Sequence, residues 1–336
     1  MSRLFISALT LSLGCGGPLS STGSTGRGGS GSASSSASGL GTGGAAANGM
    51  VAVDFNDPRA SIYATPLASA SIPVVTVPTY SFVLALAFDK LGDVYVADET
   101  TDSPTWMIEV FATGAAGTTA TRTIFGTDND AWDGSVTALA VSRDGWLYAG
   151  LRDDMTGGPQ IQVFPPGTDG QTPPARTLLL DDFDSNGVGT RNVPMSIGLD
   201  DNGELFIGGM TRITVYDAAA TGHAAPRRRL GPFQSLSPFQ PLPCAVDAAG
   251  DVAVILDTGG FTPGIAVFGP GASGDATPVR LITGSSPAGP LAFGPDGSLY
   301  VRNGAGNISV YAPGASGNAA PMLTLPAKSG HAIAVQ

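Results

Sequence analysis

LAFGPDGSLYVRNGAGNISVYAPGASGNAAPMLTL, residues 291–325, contains the whole unit whose reading decides the fold. Leu291-Ala292-Phe293, Leu299-Tyr300-Val301 and Ile308-Ser309-Val310-Tyr311 are short apolar runs separated by turn residues, with Gly297 in the first turn. After Pro313-Gly314-Ala315-Ser316-Gly317 comes a weaker fourth run, Met322-Leu323-Thr324-Leu325. Runs of this length, rich in β-branched and aromatic residues and bounded by Gly and Pro, predict strands. Four in succession joined by tight turns predict one antiparallel four-stranded leaf.

Working outward, the turn glycines Gly92, Gly145, Gly203, Gly250 and Gly297 align the rest of the chain, with steps of 53, 58, 47 and 47 residues by subtraction. Such a period is that of a propeller blade. The third strand is the most regular: Ile108-Glu109-Val110-Phe111, Ile161-Gln162-Val163-Phe164, Ile213-Thr214-Val215-Tyr216 and Ile265-Ala266-Val267-Phe268. The fourth is weak, as an outer edge would be, and the run Arg227-Arg228-Arg229 reads as charge that keeps this edge from pairing. One copy is split. Met50-Val51-Ala52-Val53, Ser61-Ile62-Tyr63 and 73–77 supply its second to fourth strands, and Ile333-Ala334-Val335 at the C-terminus supplies the first. The prediction is an all-β, six-bladed β-propeller of four-stranded antiparallel blades, closed by the C-terminal strand joining the N-terminal blade.

The phrase resembles the NHL-repeat family of β-propellers, whose units read apolar strand, D-x-x-G turn, I-Y-V-A-D and I-x-V-F. The best match is 86–89, Gly92, 94–98 and 108–111, and the resemblance spans residues 49–336. That family includes protein- and RNA-binding modules, lyases and lactone hydrolases, so it implies the fold and selects no single activity.

The N-terminus reads as an export signal: Arg3, an apolar stretch over 4–13, then small residues up to Gly14-Cys15. Ser12-Leu13-Gly14-Cys15 resembles the lipobox of bacterial lipoproteins, whose cysteine is acylated, although Ser12 stands where that family prefers an aliphatic residue. The alternative is an ordinary cleaved signal. Gly16 lacks the acidic residue that marks inner-membrane retention, so the resemblance implies the outer membrane. Residues 1–15 are thus the signal and lipobox, 16–48 a Gly/Ser/Ala/Thr linker, and 49–336 the propeller. As a random coil of about thirty residues, the linker holds the domain roughly 30 Å from its anchor. Cys244 is the only other cysteine, and it reads as a small buried residue.

A formal charge of -11 excludes nucleic acid as partner. Connections between second and third strands and between blades share one face of a propeller, and here they carry the insertions at 99–105, 127–135, 153–159, 181–193, 231–241 and 257–262. The opposite face has short, uniform turns. Loops on a rigid scaffold carry function, so the insertion-rich face is expected to bind a protein, peptide or glycan, with the chain a monomer that meets the membrane only through its lipid. Candidate binding residues there are Asp54, Asp98, Arg152, Asp257 and Arg302 at the ends of second strands, with Trp106 and Trp132 beside insertions. Mixed charge at such a mouth can orient a polar ligand or simply neutralise itself.

Asp182, Asp184 and Asn186, followed by Gly187, place oxygen ligands at alternating positions as in the front half of a Ca2+ loop. Val193 stands where an EF-hand would have its bidentate Glu, so the segment also reads as a solvated acidic loop, and no cofactor is required. Catalysis has little support. His223 and His331 are the only histidines and lie in different places, and only His331 with Cys244 offers a pairing to examine. The alternative to a non-catalytic binder is a metal-dependent hydrolase or lyase of the lactonase-like propeller type.

Overall fold

The structure is a computed structural model that describes residues 49–53, 59–64, 67–69, 71, 73–79, 83–98, 106–112, 119–126, 135–152, 158–180, 193–233, 243–257, 263–326 and 332–336, with 49–53 and Asp257 described by backbone alone. Five four-stranded antiparallel sheets are each continuous in sequence. The first is β4 (Val83–Phe88), β5 (Val94–Asp98), β6 (Met107–Phe111) and β7 (Arg122–Phe125). The second is β8 (Ser135–Val141), β9 (Leu147–Arg152), β10 (Gln160–Phe164) and β11 (Arg176–Leu179). The third is β12 (Ser196–Leu199), β13 (Glu204–Gly208), β14 (Ile213–Asp217) and β15 (Arg228–Leu230). The fourth is β16 (Cys244–Val246), β17 (Val252–Asp257), β18 (Pro263–Phe268) and β19 (Arg280–Ile282). The fifth is β20 (Pro287–Phe293), β21 (Leu299–Asn303), β22 (Ile308–Tyr311) and β23 (Leu323–Leu325).

A further sheet takes its strands from both ends of the chain, in the order β24 (Ile333–Val335), β1 (Gly49–Val53), β2 (Arg59–Ala64) and β3 (Val75–Pro78). Val51 is the register partner of Ala334 on one side and of Ile62 on the other. Each inner strand packs against the next: β4 on β8, β8 on β12, β12 on β16, β16 on β20, β20 on β24 and β24 on β4. The fold is an all-β propeller of four-stranded antiparallel blades, with strand 1 of each at the axis. The repeat glycines have φ between 76° and 89°, the left-handed conformation a tight turn needs and a side chain resists.

One cross-strand row repeats from axis to rim. In the first blade Ala87, Tyr95, Val110 and Arg122 are successive partners, and in the second Ala140, Tyr148, Val163 and Arg176. The third has Gly198, Phe206, Val215 and Arg228, and the fourth Ala245, Ala253, Val267 and Arg280. Small residues sit at the axis because the inner strands converge there. A Cβ on Gly198 would lie 2.5 Å from Val246 Cγ2 of the next blade.

At the rim the arginines fold inward over the row. Arg122 stands 5.5 Å from the Tyr95 ring centroid and donates to Tyr95 Oη, and Arg228 stands 5.4 Å from Phe206. They also cross to the following blade, where Arg122 Nη1 donates to Thr168 O, Arg176 Nη1 to Ala218 O and Arg228 Nε to Ala272 O. Arg228 is additionally bidentate on Glu204. The Arg227-Arg228-Arg229 run is therefore more than a charged edge. Edge protection comes from backbone pairing: Ile124, Leu178, Leu230 and Ile282 each bridge in parallel to a turn glycine of the next blade, Gly170, Gly222, Gly274 and Gly317.

Gly198→Ala is expected to cost about 1–3 kcal/mol by overpacking. The Gly198→Ala/Val246→Ala double variant should lose less than the sum of the single losses, measured by urea denaturation.

Candidate functional site

Asp98 closes β5 as the register partner of Met107, and Glu109 lies on the adjacent strand as the partner of Val96. Strand alternation puts both on the face shared by Val94, Val96 and Phe111, which packs with Ala60, Val77, Ala332 and Ala334 of the composite sheet. Asp98 is 3 % exposed and Glu109 8 %. Burial, with the Asp98 carboxylate adding repulsion, pushes Glu109 up to about 7. The sequence signal for this site is the variable residue of the I-x-V-F phrase. Alternation would let it face solvent, yet Glu109, Gln162, Thr214 and Ser309 are all buried.

The other expected site residues that the structure describes are Trp106, Arg152, Arg302 and, by backbone alone, Asp257. Trp106 is 5 % exposed, makes an edge contact with Phe164 at 5.9 Å between centroids, and is covered by Gly126, where a Cβ would come within 2.6 Å of Nε1. Its indole is part of the core between first and second blades, not a platform for a ligand. Arg152 ends β9 opposite Ser135, and Asp257 ends β17 opposite Pro263. Arg302 Nη1 donates to Ala288 O at 2.8 Å, and a Cβ on Gly289 would lie 2.9 Å from its Cδ, so this side chain supports the irregular segment of β20 between Pro287 and Leu291. Asp54, Trp132, Asp182, Asp184, Asn186, His331 and Cys15 lie outside the described residues.

Cys244 is buried with Sγ 3.0 Å from Ser196 Oγ. Burial pushes its thiol up to about 11, against a smaller opposing effect of the Ser196 hydrogen bond, so the reactive thiolate is scarce near neutrality. His223 is exposed and directly follows Gly222 in a short turn. Among the described residues no group of three or more His, Cys, Asp or Glu converges as metal ligands would.

The short-turn face carries a cavity of about 580 Å3, lined by the ends of four inner strands at Phe88, Val246, Phe293 and Val335 and by the turns that follow three of them. Aspartates in those turns fix their geometry: Asp89 Oδ1 accepts from the Leu91 and Asp93 amides, and Asp247 Oδ1 from those of Ala249 and Asp251. Hydrogen bonds from Ser298 hold Asp296 below the usual carboxylate range. This cavity escapes sequence inspection because its walls come from 88–90, 246–249, 293–297 and 335–336.

No protein-family profile and no curated protein matches the chain. Among solved structures, it is similar to a protein of unknown function from Bacteroides caccae, with TM-score 0.57 and 10 % identity over 86 % of this chain and 98 % of the other. It is also similar to the WD40 β-propeller domain of Doa1, with TM-score 0.51 and 13 % identity over 85 % and 82 %. A functionally unknown protein from Desulfotomaculum acetoxidans DSM 771 gives TM-score 0.51 and 10 % identity over 86 % and 98 %. At these identities the likeness is one of fold: the chain is a β-propeller.

Two outcomes follow from the titrating groups. An acid whose folded pKa exceeds its unfolded value costs stability once pH rises past the unfolded value, 4.5, and the loss is complete above about 7. Glu109→Gln should therefore stabilise the protein at pH 8 by on the order of 1–3 kcal/mol and leave it nearly unchanged at pH 4, measured as unfolding free energy against pH. In a Cys15→Ser background, Cys244 should resist a disulfide thiol reagent at pH 8 until the protein is denatured.

Proposed function

We propose that the composite sheet is the sixth blade of a closed, NHL-like propeller, and that this domain is an exported, non-catalytic binding protein anchored through lipid on Cys15 to the outer membrane. Its ligand is a protein, peptide or glycan held on the insertion-rich face. The observation that carries this reading is the asymmetry of the connections. Connections on one face are uniform, four or five residues between first and second strands and ten or eleven between third and fourth by subtraction, and they spend their polar groups on themselves, through aspartate-capped hairpins and glycines hydrogen-bonded to the neighbouring blade. Connections on the opposite face vary from 4 to 16 residues by subtraction, and the variable ones include the segment of Trp132 and that of Asp182, Asp184 and Asn186.

β24 runs toward the short-turn face, and β1 is antiparallel to it, so the chain enters β1 at that face. The buried thiol of Cys244 and the exposed setting of His223 favour binding over covalent catalysis.

The test is purification of the full chain from cells fed a labelled fatty acid, followed by glycan- and peptide-array binding. Label should enter the wild type and not Cys15→Ser. A saturable ligand should be found whose affinity falls at least tenfold in Trp132→Ala. Hydrolysis of lactones or esters that disappears in His331→Ala would replace this reading with the enzymatic one, and the absence of any saturable ligand would leave a structural envelope role.

A further inference from the structure

We infer that the β2–β3 hairpin of the composite sheet is a strap that opens reversibly at the rim while the rest of the propeller stays folded. At four successive seams one backbone clamp joins the rim of a blade to the next. The residue after Ile124, Leu178, Leu230 or Ile282 donates its amide to a turn glycine of the following blade: Phe125 N to Gly170 O at 3.2 Å, Leu179 N to Gly222 O at 2.9 Å, Gly231 N to Gly274 O at 2.9 Å and Thr283 N to Gly317 O at 2.7 Å. Each glycine amide returns a bond to the strand, at Thr123, Thr177, Arg229 and Leu281 O. By register, Leu325 of β23 and Val77 of β3 hold the place of Ile124, opposite Ile308 and Ala60 as Ile124 is opposite Ile108. The residues that follow them are Pro326 and Pro78, which have no amide hydrogen to give. Residues 65–74, which join β2 to β3 where the other blades carry the receiving glycine, contain no glycine at all. The clamp is thus ruled out by residue chemistry at the donor on both flanks of the hairpin, and Leu323 and Val75 stand where Arg122, Arg176 and Arg228 reach across to the next blade.

Burial points the same way. β2 buries two of its six residues, Ala60 and Tyr63, whereas the third strands of the five continuous blades, β6, β10, β14, β18 and β22, bury all or all but one. Val74, entering β3, is 61 % exposed. Segments with fewer buried apolar contacts and fewer bonds to their surroundings open at lower free energy than the domain unfolds. Opening separates β2 from β1 and uncovers Tyr300, Ile308 and Val310 of the fifth blade and Val94, Val96 and Phe111 of the first. The axis persists, because β24 stays packed on β20 and β4.

The experiment is native-state hydrogen exchange of the full chain, read by mass spectrometry. Peptides spanning 59–64 and 75–78 should exchange together, roughly tenfold or more faster than those of β10–β11 and β14–β15, and low urea should scarcely change their rate. In a Cys15→Ser, Cys244→Ala background, Ala60→Cys should react with a disulfide thiol reagent roughly tenfold or more faster than Ala266→Cys, which is equally buried on the third strand of a clamped blade. Thr283→Pro gives the fourth blade the chemistry of the fifth and should speed exchange in β19. Equal exchange at all rims, equal reactivity of the two thiols, or an unchanged rate at β19 in Thr283→Pro would overturn the inference. None of these outcomes depends on what the insertion-rich face binds.

Discussion

A propeller has no free flank only if its last segment returns to its first, and here that requirement falls on a three-residue strand, β24, and its register with β1. The composite sheet covers two apolar surfaces at once. On one side Tyr63 and Ile333 pack with Tyr300, Ile308, Val310 and Leu325 of the fifth blade, and on the other Ala60, Val77, Ala332 and Ala334 pack with Leu86, Val94, Val96 and Phe111 of the first. Burial of each large side chain contributes about 1.5–3 kcal/mol, so losing the closing strand would expose two faces and not one edge. The cost of bringing distant termini together grows only with the logarithm of the intervening length. Gln336 adds a lock, its Nε2 donating to Asp89 O of the first blade at 2.9 Å.

The seams of the ring are unequal. Arginine ends the cross-strand row in four consecutive blades, whereas Leu323 and Val75 take its place in the fifth blade and the composite sheet. The seam between composite sheet and first blade instead encloses the carboxylates of Asp98 and Glu109. Arginines thus join each of the first three blades to the next, whereas the composite sheet meets the first blade through apolar side chains and two buried carboxylates. Glu109 brings pH sensitivity to that same seam.

The sequence made the blade legible because the hairpin glycine, the small axial residue and the third strand of I-x-V-F type are each demanded by local geometry and recur in the five continuous units. The split copy was equally readable, since a missing first strand at one end matched a surplus one at the other. Side-chain destinations were harder. Trp106 stands next to an insertion in sequence and inside the core in space, and Arg228 belongs to a run that looks like surface charge while its guanidinium spans Glu204 and the next blade. The recurrence of Arg122, Arg176, Arg228 and Arg280 at steps of 54, 52 and 52 residues by subtraction was the available sign of a structural role, which for the first three is a bond to the next blade. Glu109 was masked by a phrase in which its position looks variable, and the cavity by contributions from four separated segments.

Cross-linking through the closing pair tests the account most directly. In a Cys15→Ser, Cys244→Ala background, Val51→Cys and Ala334→Cys should oxidise to a disulfide in the native protein and raise its melting temperature, while the out-of-register pair Val53→Cys and Ala334→Cys should not. Failure of the first pair to oxidise, or equal oxidation of both, would contradict closure of the ring by β24 and β1.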